Sequence, residues 1–153
     1  MVTDFPKLLN MMLMQAYHNI LRIEEEFLQK NGRIDLTIRE MHLIECVGEA
    51  GQEGNTASEI ADFLRIARPS ASVAIKKLVE KGYLNKNACG TDGRSVRVTL
   101  TREGRKVYLY HMRYHMNMVD EISLGLDEEE RGVLVRAIQK LNGFFEKGAA
   151  SAV

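Results

Sequence analysis

The feature that most constrains this fold is a change of periodicity about halfway along the chain. Before Gly82, apolar residues recur at helical spacing, and the last helix predicted in this half is Arg68–Lys81. After Gly82, strand-like segments at Tyr83–Lys86 and Val96–Leu100 flank the Gly-rich stretch Cys89–Gly93. The sequence therefore predicts a run of helices followed by a β-hairpin.

Four helices are predicted before the hairpin and two after it. Two of them begin with capping boxes, Thr37–Glu40 and Thr56–Glu59, which satisfy open backbone N–H groups. Residues 52–55 are predicted as a turn, Thr101 caps the fifth helix and Asp127 opens the sixth. The fold class is mainly α with a small β-hairpin wing (α+β). Two helices joined by a tight turn and followed by a hairpin form a winged helix-turn-helix.

The length of 153 residues predicts a single domain, 1–153. Its winged-helix lobe covers about residues 36–100, and long helices at about 5–31 and 101–147 flank it. These outer helices carry apolar stripes that the small central lobe cannot cover. Burial against a second copy is therefore expected, and the chain is predicted to be a homodimer.

Several classes of protein are not expected. No apolar run approaches the ~20 residues of a membrane span and no signal peptide is recognisable, so a cytoplasmic protein without membrane contact is predicted. Cys46 and Cys89 lack disulfide-framework or CxxC spacing. The chain has no P-loop, nucleophile elbow or dinucleotide fingerprint, so we expect neither an enzyme nor an obligatory cofactor.

Charge is distributed unevenly although the net charge is zero. The stretch from Arg65 to Lys106 holds eleven basic and three acidic residues, a net charge of +8, and the rest of the chain carries −8. A basic middle between acidic ends is typical of a protein that binds a polyanion.

One face of the Arg68–Lys81 helix is predicted to contact DNA. Its apolar residues fall on the other face and are expected to pack on the preceding helix. An α-helix fits the major groove, where Ser and Lys side chains reach bases or phosphates. The DNA-facing residues predicted on this helix are Arg68, Ser70, Ser72 and Lys76, with Val73 beside them.

The hairpin supplies a second predicted contact. Asp92 and Arg94 stand at its tip, where an Arg can enter a narrow minor groove and the Asp can orient its guanidinium. Arg97 lies one strand step away and either touches phosphate or pairs with an acid.

These segments resemble the MarR family of bacterial transcription factors. The resemblance rests on Arg68–Tyr83 (RPSASVAIKKLVEKGY) and Asp92–Gly104 (DGRSVRVTLTREG) and extends over nearly the whole chain. It implies a triangular dimer that reads palindromic double-stranded DNA, with the first, fifth and sixth helices at the interface. Family members usually repress, and a ligand or an oxidant releases them.

Within this family, the chain most resembles the branch that regulates fatty-acid synthesis genes in low-GC Gram-positive bacteria. Ile23–Glu25, Ile38–Ile44 and His111–Val119 carry that resemblance. The resemblance implies that the protein binds long acyl chains carried on acyl carrier protein, and that this acylated carrier enhances DNA binding. Adaptable Met side chains suit an apolar channel, although Met at helical spacing also occurs in ordinary cores. The pocket residues predicted are Met12, Met41, His42, Met112 and Met116.

Two other signals compete with the lipid. His111 and His115 share one helix face at metal-ligand spacing, and with His42 and either Glu24 or Glu25 they resemble the ligand set of a zinc-sensing branch of the family. A polar cluster without metal explains them equally well. The peroxide-sensing branch uses a Cys in the first helix, where this chain has none. Cys46 is expected to be buried and inert, which leaves Cys89 in the wing for redox control.

The wing assignment predicts that Arg94→Ala severely weakens operator binding and leaves the dimer intact. The reason is removal of the one side chain that the hairpin tip is predicted to place in the minor groove. Fluorescence anisotropy on operator DNA measures the affinity, and size-exclusion chromatography checks the dimer. Unchanged affinity would rule out the minor-groove role.

Overall fold

The computed structural model describes residues 4–30, 32, 34–89 and 95–148. In these residues the chain forms six helices and one β-hairpin in the predicted order, so the predicted fold class is confirmed. The elements are α1 (Phe5–Lys30), α2 (Ile38–Glu49), α3 (Ala57–Leu64), α4 (Arg68–Glu80), β1 (Leu84–Cys89), β2 (Ser95–Leu100), α5 (Arg102–Leu124) and α6 (Glu128–Gly148).

The chain divides into two compact units, Met1–Leu109 and Tyr110–Val153, and the boundary falls inside α5. The hydrophobic core of the first unit brings together α2, α3, α4 and both strands. Its most buried large side chains belong to apolar residues that the helical and strand patterns place inward. They are Met41, Leu43, Ile44, Val47, Ile60, Ile75, Leu78, Leu84 and Val98.

Both capping boxes predicted from sequence are present. The Thr37 backbone N–H donates to Glu40 Oε2 at 2.8 Å, and the Glu40 N–H donates to Thr37 Oγ1 at 3.2 Å. Thr56 and Glu59 repeat the arrangement at 2.7 and 3.2 Å. Each box satisfies two N–H groups that have no partner within the helix, and so fixes where α2 and α3 begin.

The hairpin is antiparallel and pairs Leu84 with Leu100 at one end and Cys89 with Ser95 at the other. Strand β1 continues three residues beyond its predicted end at Lys86. Asn and Ala are poor strand formers, but backbone pairing with β2 outweighs this weak preference. Sequence patterns that examine one segment at a time do not register such pairing.

The predicted turn at residues 52–55 also pairs with the hairpin. The Asn55 N–H donates to the Val98 carbonyl at 3.0 Å, and the Val98 N–H donates to the Asn55 carbonyl at 2.7 Å. Gly54 precedes this bridge with φ +65°, and a Cβ there would collide with the Val98 carbonyl oxygen. Glycine is therefore required both by conformation and by space.

The second unit contains the remainder of α5 and the whole of α6. Asp127 and Glu130 form a further reciprocal cap at the start of α6, with both hydrogen bonds at 2.9 Å. No residue of α6 is buried in the single chain. Its predicted apolar stripe is accordingly accessible, with Leu134, Ile138 and Phe145 42–55% exposed. Among the described residues, no helix is both long and apolar enough to span a bilayer.

The turn between α3 and α4 depends on Arg65, whose backbone is left-handed (φ 52°, ψ 45°). It ends α3 as a C-cap, and the Ile66 N–H donates to the Ala61 carbonyl at 3.0 Å. Among the described residues, Arg65 alone combines a positive φ with a side chain. Glycine usually takes this position because a Cβ costs about 1–2 kcal/mol there.

We expect Arg65→Gly to raise the free energy of unfolding by roughly 0.5–1 kcal/mol. The free energy gained by relieving the backbone strain exceeds the free-energy cost of the extra conformational entropy that glycine gives the unfolded chain. Chemical denaturation at one fixed protein concentration measures the change, and Arg65→Ala, which keeps the Cβ, is the control. A loss of stability relative to that control would contradict the strained geometry.

Candidate DNA-binding surface

Helix α4 has the two faces that its sequence predicts. Ala71, Ile75 and Leu78 are at most 1% exposed and pack into the core of the first unit. The opposite face is accessible over its whole length. Its members include all the residues predicted on this helix to contact DNA: Arg68, Ser70, Ser72, Val73 and Lys76.

The N-terminal end of α4 differs from those of α2 and α3. Its N-cap, Ala67, provides no side-chain hydrogen bond, Pro69 occupies the first turn, and no acidic residue is present there. Helices α2 and α3 instead place Glu40 and Glu59 at the corresponding positions. The partial positive charge of this helix end is therefore not offset by a carboxylate, which favours a nearby phosphate.

The wing is fixed to α3 by Arg97. Its Nη1 donates to the Gly54 carbonyl at 3.0 Å and lies 3.6 Å from Glu59 Oε2. Arg97 therefore pairs with an acid in this structure, and its contact with phosphate stays a prediction. Glu59 also caps α3. The hydrogen bond that its carboxylate accepts from the Thr56 backbone N–H is the largest cause of the lowered pKa of Glu59. The other two wing residues predicted to contact DNA, Asp92 and Arg94, lie outside the described residues.

Two lysines of the α4 region are held away from the outer face by Glu40 of α2. Lys77 Nζ lies 2.9 Å from Glu40 Oε1, and Lys81 Nζ lies 3.1 Å from Glu40 Oε2. Lys81 also donates to the backbone carbonyl of Asp35 at 2.7 Å. The Glu40 side chain is 7% exposed, whereas Lys77 remains 56% exposed.

The ionised form of Glu40 is strongly favoured. Burial by itself raises the pKa of this carboxyl, but the Thr37 N–H and the Lys77 and Lys81 ammonium groups together lower it from 4.5 to about 2. The carboxylate therefore keeps its charge throughout the neutral range. Its stabilising effect is present above the ordinary Glu pKa and is lost as the pH falls toward 2.

The number of basic groups that α4 offers to DNA is consequently smaller than the sequence suggests. Arg68 forms no ion pair with a described residue, and Lys76 lies 3.9 Å from Glu80, where both side chains are more than 60% exposed. An ion pair of that kind is weak and yields readily to phosphate. Sequence analysis missed the Glu40 contacts, because the residues involved are 37 to 41 positions apart.

The predicted pocket residues have contrasting environments within their own units. In the first unit Met41 is 2% exposed and belongs to the core, whereas Met12 is 56% exposed and His42 is half-buried. In the second unit Met112 is half-buried and Met116 is 51% exposed. Packing accounts for Met41, and the lipid role of the set stays a prediction.

The four predicted metal ligands form one close pair in each unit. In the first unit His42 Nε2 lies 3.5 Å from Glu24 Oε1. In the second unit His115 Nε2 lies 3.0 Å from Nε2 of the buried His111. Two imidazoles on one tetrahedral zinc would have nitrogens about 3.3 Å apart, so the observed distance fits a direct N–H···N hydrogen bond slightly better.

The thiol of Cys46 is unsuited to redox sensing. Cys46 is buried, and burial together with nearby carboxylates raises the pKa of its thiol to about 11. Cys46 is buried as predicted, and because reaction with oxidants requires thiolate, the raised pKa disfavours that reaction. The side chain of Cys89, the other cysteine considered, lies outside the described part of the chain.

Comparisons with known proteins agree with this geometry. Residues 34–95 match the model of the MarR family. The chain is similar to Streptococcus pneumoniae FabT, solved in complex with DNA, with 30% identity, a TM-score of 0.87, and coverage of 94% of this chain and 99% of that one.

Two more distant proteins also match. The DNA complex of Staphylococcus aureus MepR shares 20% identity with a TM-score of 0.71, covering 88% of this chain and 94% of that one. An uncharacterized HTH-type transcriptional regulator of Bacillus subtilis, YhjH, is 26% identical over 87 residues, 57% of this chain. This match spans about half the length of that regulator, 49%.

The position of Lys76 predicts a contact with the DNA backbone. We expect Lys76→Ala to weaken binding to operator and random duplexes equally, and to make the dependence of log K on log[salt] shallower by about 0.9 for each phosphate that is no longer neutralised. Salt titrations by fluorescence anisotropy measure both quantities. Lys30→Ala removes the same charge from α1 and serves as control. A weakening confined to the operator would identify Lys76 as a base-reading residue instead.

Proposed function

The chain belongs to the MarR family of DNA-binding transcriptional regulators, and we propose that it represses fatty-acid synthesis genes in response to long-chain acyl groups on acyl carrier protein. The observation that carries the proposal is the likeness to FabT, which extends beyond the winged helix into the outer helices. The segments around Glu24, His42 and His111 that resemble the fatty-acid branch lie on those helices and on α2.

In the proposed DNA complex, α4 enters the major groove with its exposed face toward the bases. Ser70, Ser72 and Val73 are short enough for the helix to approach closely, and Arg68 and Lys76 at its margins meet phosphates. The wing loop carries Arg94 to the adjacent minor groove. Arg97 contributes indirectly, because it ties β2 to α3 and so holds the wing beside the helix-turn-helix.

We propose that the working unit is a homodimer reading a palindromic site. Large apolar side chains on α1, α5 and α6 are exposed in the single chain, among them Met11, Ile122 and Phe144 at 52–67%. Large apolar side chains exposed along several helices are typical of a subunit interface. A two-fold axis would present two α4 helices to two half-sites, as a palindrome requires.

The residues proposed for the acyl site are Met12, His42, Met112 and Met116, since Met41 is taken up by the core of the first unit. Flexible thioether side chains adapt to a long alkyl chain without fixed polar partners. An acyl chain that binds the DNA-competent dimer more tightly than other conformations raises DNA affinity by that difference. Cytoplasmic location follows from this function, since both DNA and acyl carrier protein are found there.

Zinc is the second candidate signal, and it rests on the donor types present at His111–His115 and Glu24–His42. Two imidazole nitrogens, a third imidazole and a carboxylate are a chemically suitable donor set for zinc. Zinc there would be a structural or regulatory cation that crosslinks helices. No obligatory cofactor is proposed.

The experiment that tests the lipid proposal is fluorescence anisotropy on DNA from upstream of fatty-acid synthesis genes. Protein is titrated in chelator with long-chain acyl carrier protein, and in parallel with the unacylated carrier. We expect a large gain in affinity that only the acylated form produces. Binding without an acyl effect would leave the DNA-binding regulator and overturn the lipid signal. Zinc added to the same cuvette would then test the second candidate.

A matched pair of variants locates the acyl site. Met116→Glu places a charge on an exposed methionine of α5 and is expected to abolish the acyl response while DNA binding without acyl carrier protein persists. Asn117→Glu adds the same charge at the next exposed residue and should retain the response. Equal responses in both variants would remove Met116 from the site.

A further inference from the structure

Lys77 and Lys81 lie in one row along α4 that begins on its DNA-facing side. Val73, Lys77 and Lys81 are spaced by four residues, so they follow one another along the helix surface with only a gradual drift. Val73 is 70% exposed on the outer face. If the outer face met DNA, a lysine one turn further on, whose ammonium group ends a flexible stem of four methylene groups, would reach a phosphate beside it.

The ammonium group of Lys77 nevertheless faces inward to Glu40. The 2.9 Å contact joins a nearly buried carboxylate to a lysine that is itself more than half exposed. Lys81 is less free, because it is 19% exposed and is also bound to the Asp35 carbonyl. Glu40 is thus the group that decides whether Lys77 is available to another anion.

We propose that Glu40 is a specificity-determining residue, which withholds Lys77 from the DNA backbone and so limits binding to non-cognate sequences. The proposal rests on the DNA binding of the family and is independent of the lipid signal. A lysine on phosphate strengthens binding to every sequence alike, because phosphates carry no base information. Withholding one such lysine lowers non-specific affinity while the base-reading side chains are kept.

Local helix capping does not by itself explain Glu40. Its cap requires only one acceptor oxygen, which receives the Thr37 N–H, and a neutral amide at this position serves equally in a capping box. The second carboxylate oxygen contacts Lys77. The charge of Glu40 is therefore the property on which the Lys77 contact depends, and it can be removed with little change of shape.

The test is Glu40→Gln, measured by salt titration on a duplex of random sequence and on a palindromic site selected in vitro with the wild-type protein. The amide preserves the cap and releases Lys77. We expect tighter binding to the random duplex, a salt dependence of log K steeper by about 0.9 for each α4 bound, and a lower ratio of specific to non-specific affinity. A role confined to stability would weaken binding to both duplexes and would not steepen the salt dependence.

The lysine supplies the decisive comparison. Lys77→Met in the wild-type background should leave the salt dependence unchanged, and combined with Glu40→Gln it should restore the wild-type value. Glu49→Gln makes the same change of charge at the exposed end of α2 and should not steepen it. An unchanged slope in Glu40→Gln overturns the proposal.

Lys77→Met also decides the matter if Glu40→Gln fails to fold. A slope shallower by about 0.9 in that single variant would mean that Lys77 already contacts phosphate, and the proposal would be wrong. An unchanged slope would support it. Failure of the wild-type protein to bind either duplex would instead count against DNA binding itself.

Discussion

Burial of one face of α4 is the constraint on which the DNA-binding surface depends. Ala71, Ile75 and Leu78 are inserted between the helices and the hairpin of the first unit, and each large apolar side chain contributes about 1.5–3 kcal/mol. An exposed ion pair contributes at most about 1 kcal/mol. Hydrophobic burial therefore sets the rotation of α4 about its axis, and the residues left outside are the ones available to DNA.

Ion pairs within the first unit then decide which of the basic side chains already have an acidic partner. Glu40 and Glu59 occupy the same position in two capping boxes, and each uses its carboxylate a second time. Glu40 binds lysines at the end of α4, whereas Glu59 pairs with Arg97 of β2. The starts of α2 and α3 are thereby linked to α4 and to the wing, the two elements proposed to contact DNA.

The second unit presents the opposite situation. Helix α6 has a well-formed N-terminal cap but buries none of its residues in the single chain. An amphipathic helix gains most of its stability from packing of its apolar face, so isolated chains would leave that contribution unrealised. The proposed dimer assigns a purpose to these exposed side chains of α6.

The sequence by itself determined the order of the elements, the caps at Thr37 and Thr56 and the two faces of α4, because periodicity and capping act between residues within about four positions. Only the tertiary structure decided the partners of the charges. Lys81 meets Glu40 across 41 residues, and Arg97 meets the Gly54 carbonyl across 43. Whether a basic side chain faces DNA or an internal acid depends on such distant contacts. Composition gives the number of basic side chains, but only the tertiary structure shows which of them are not paired with an internal acid.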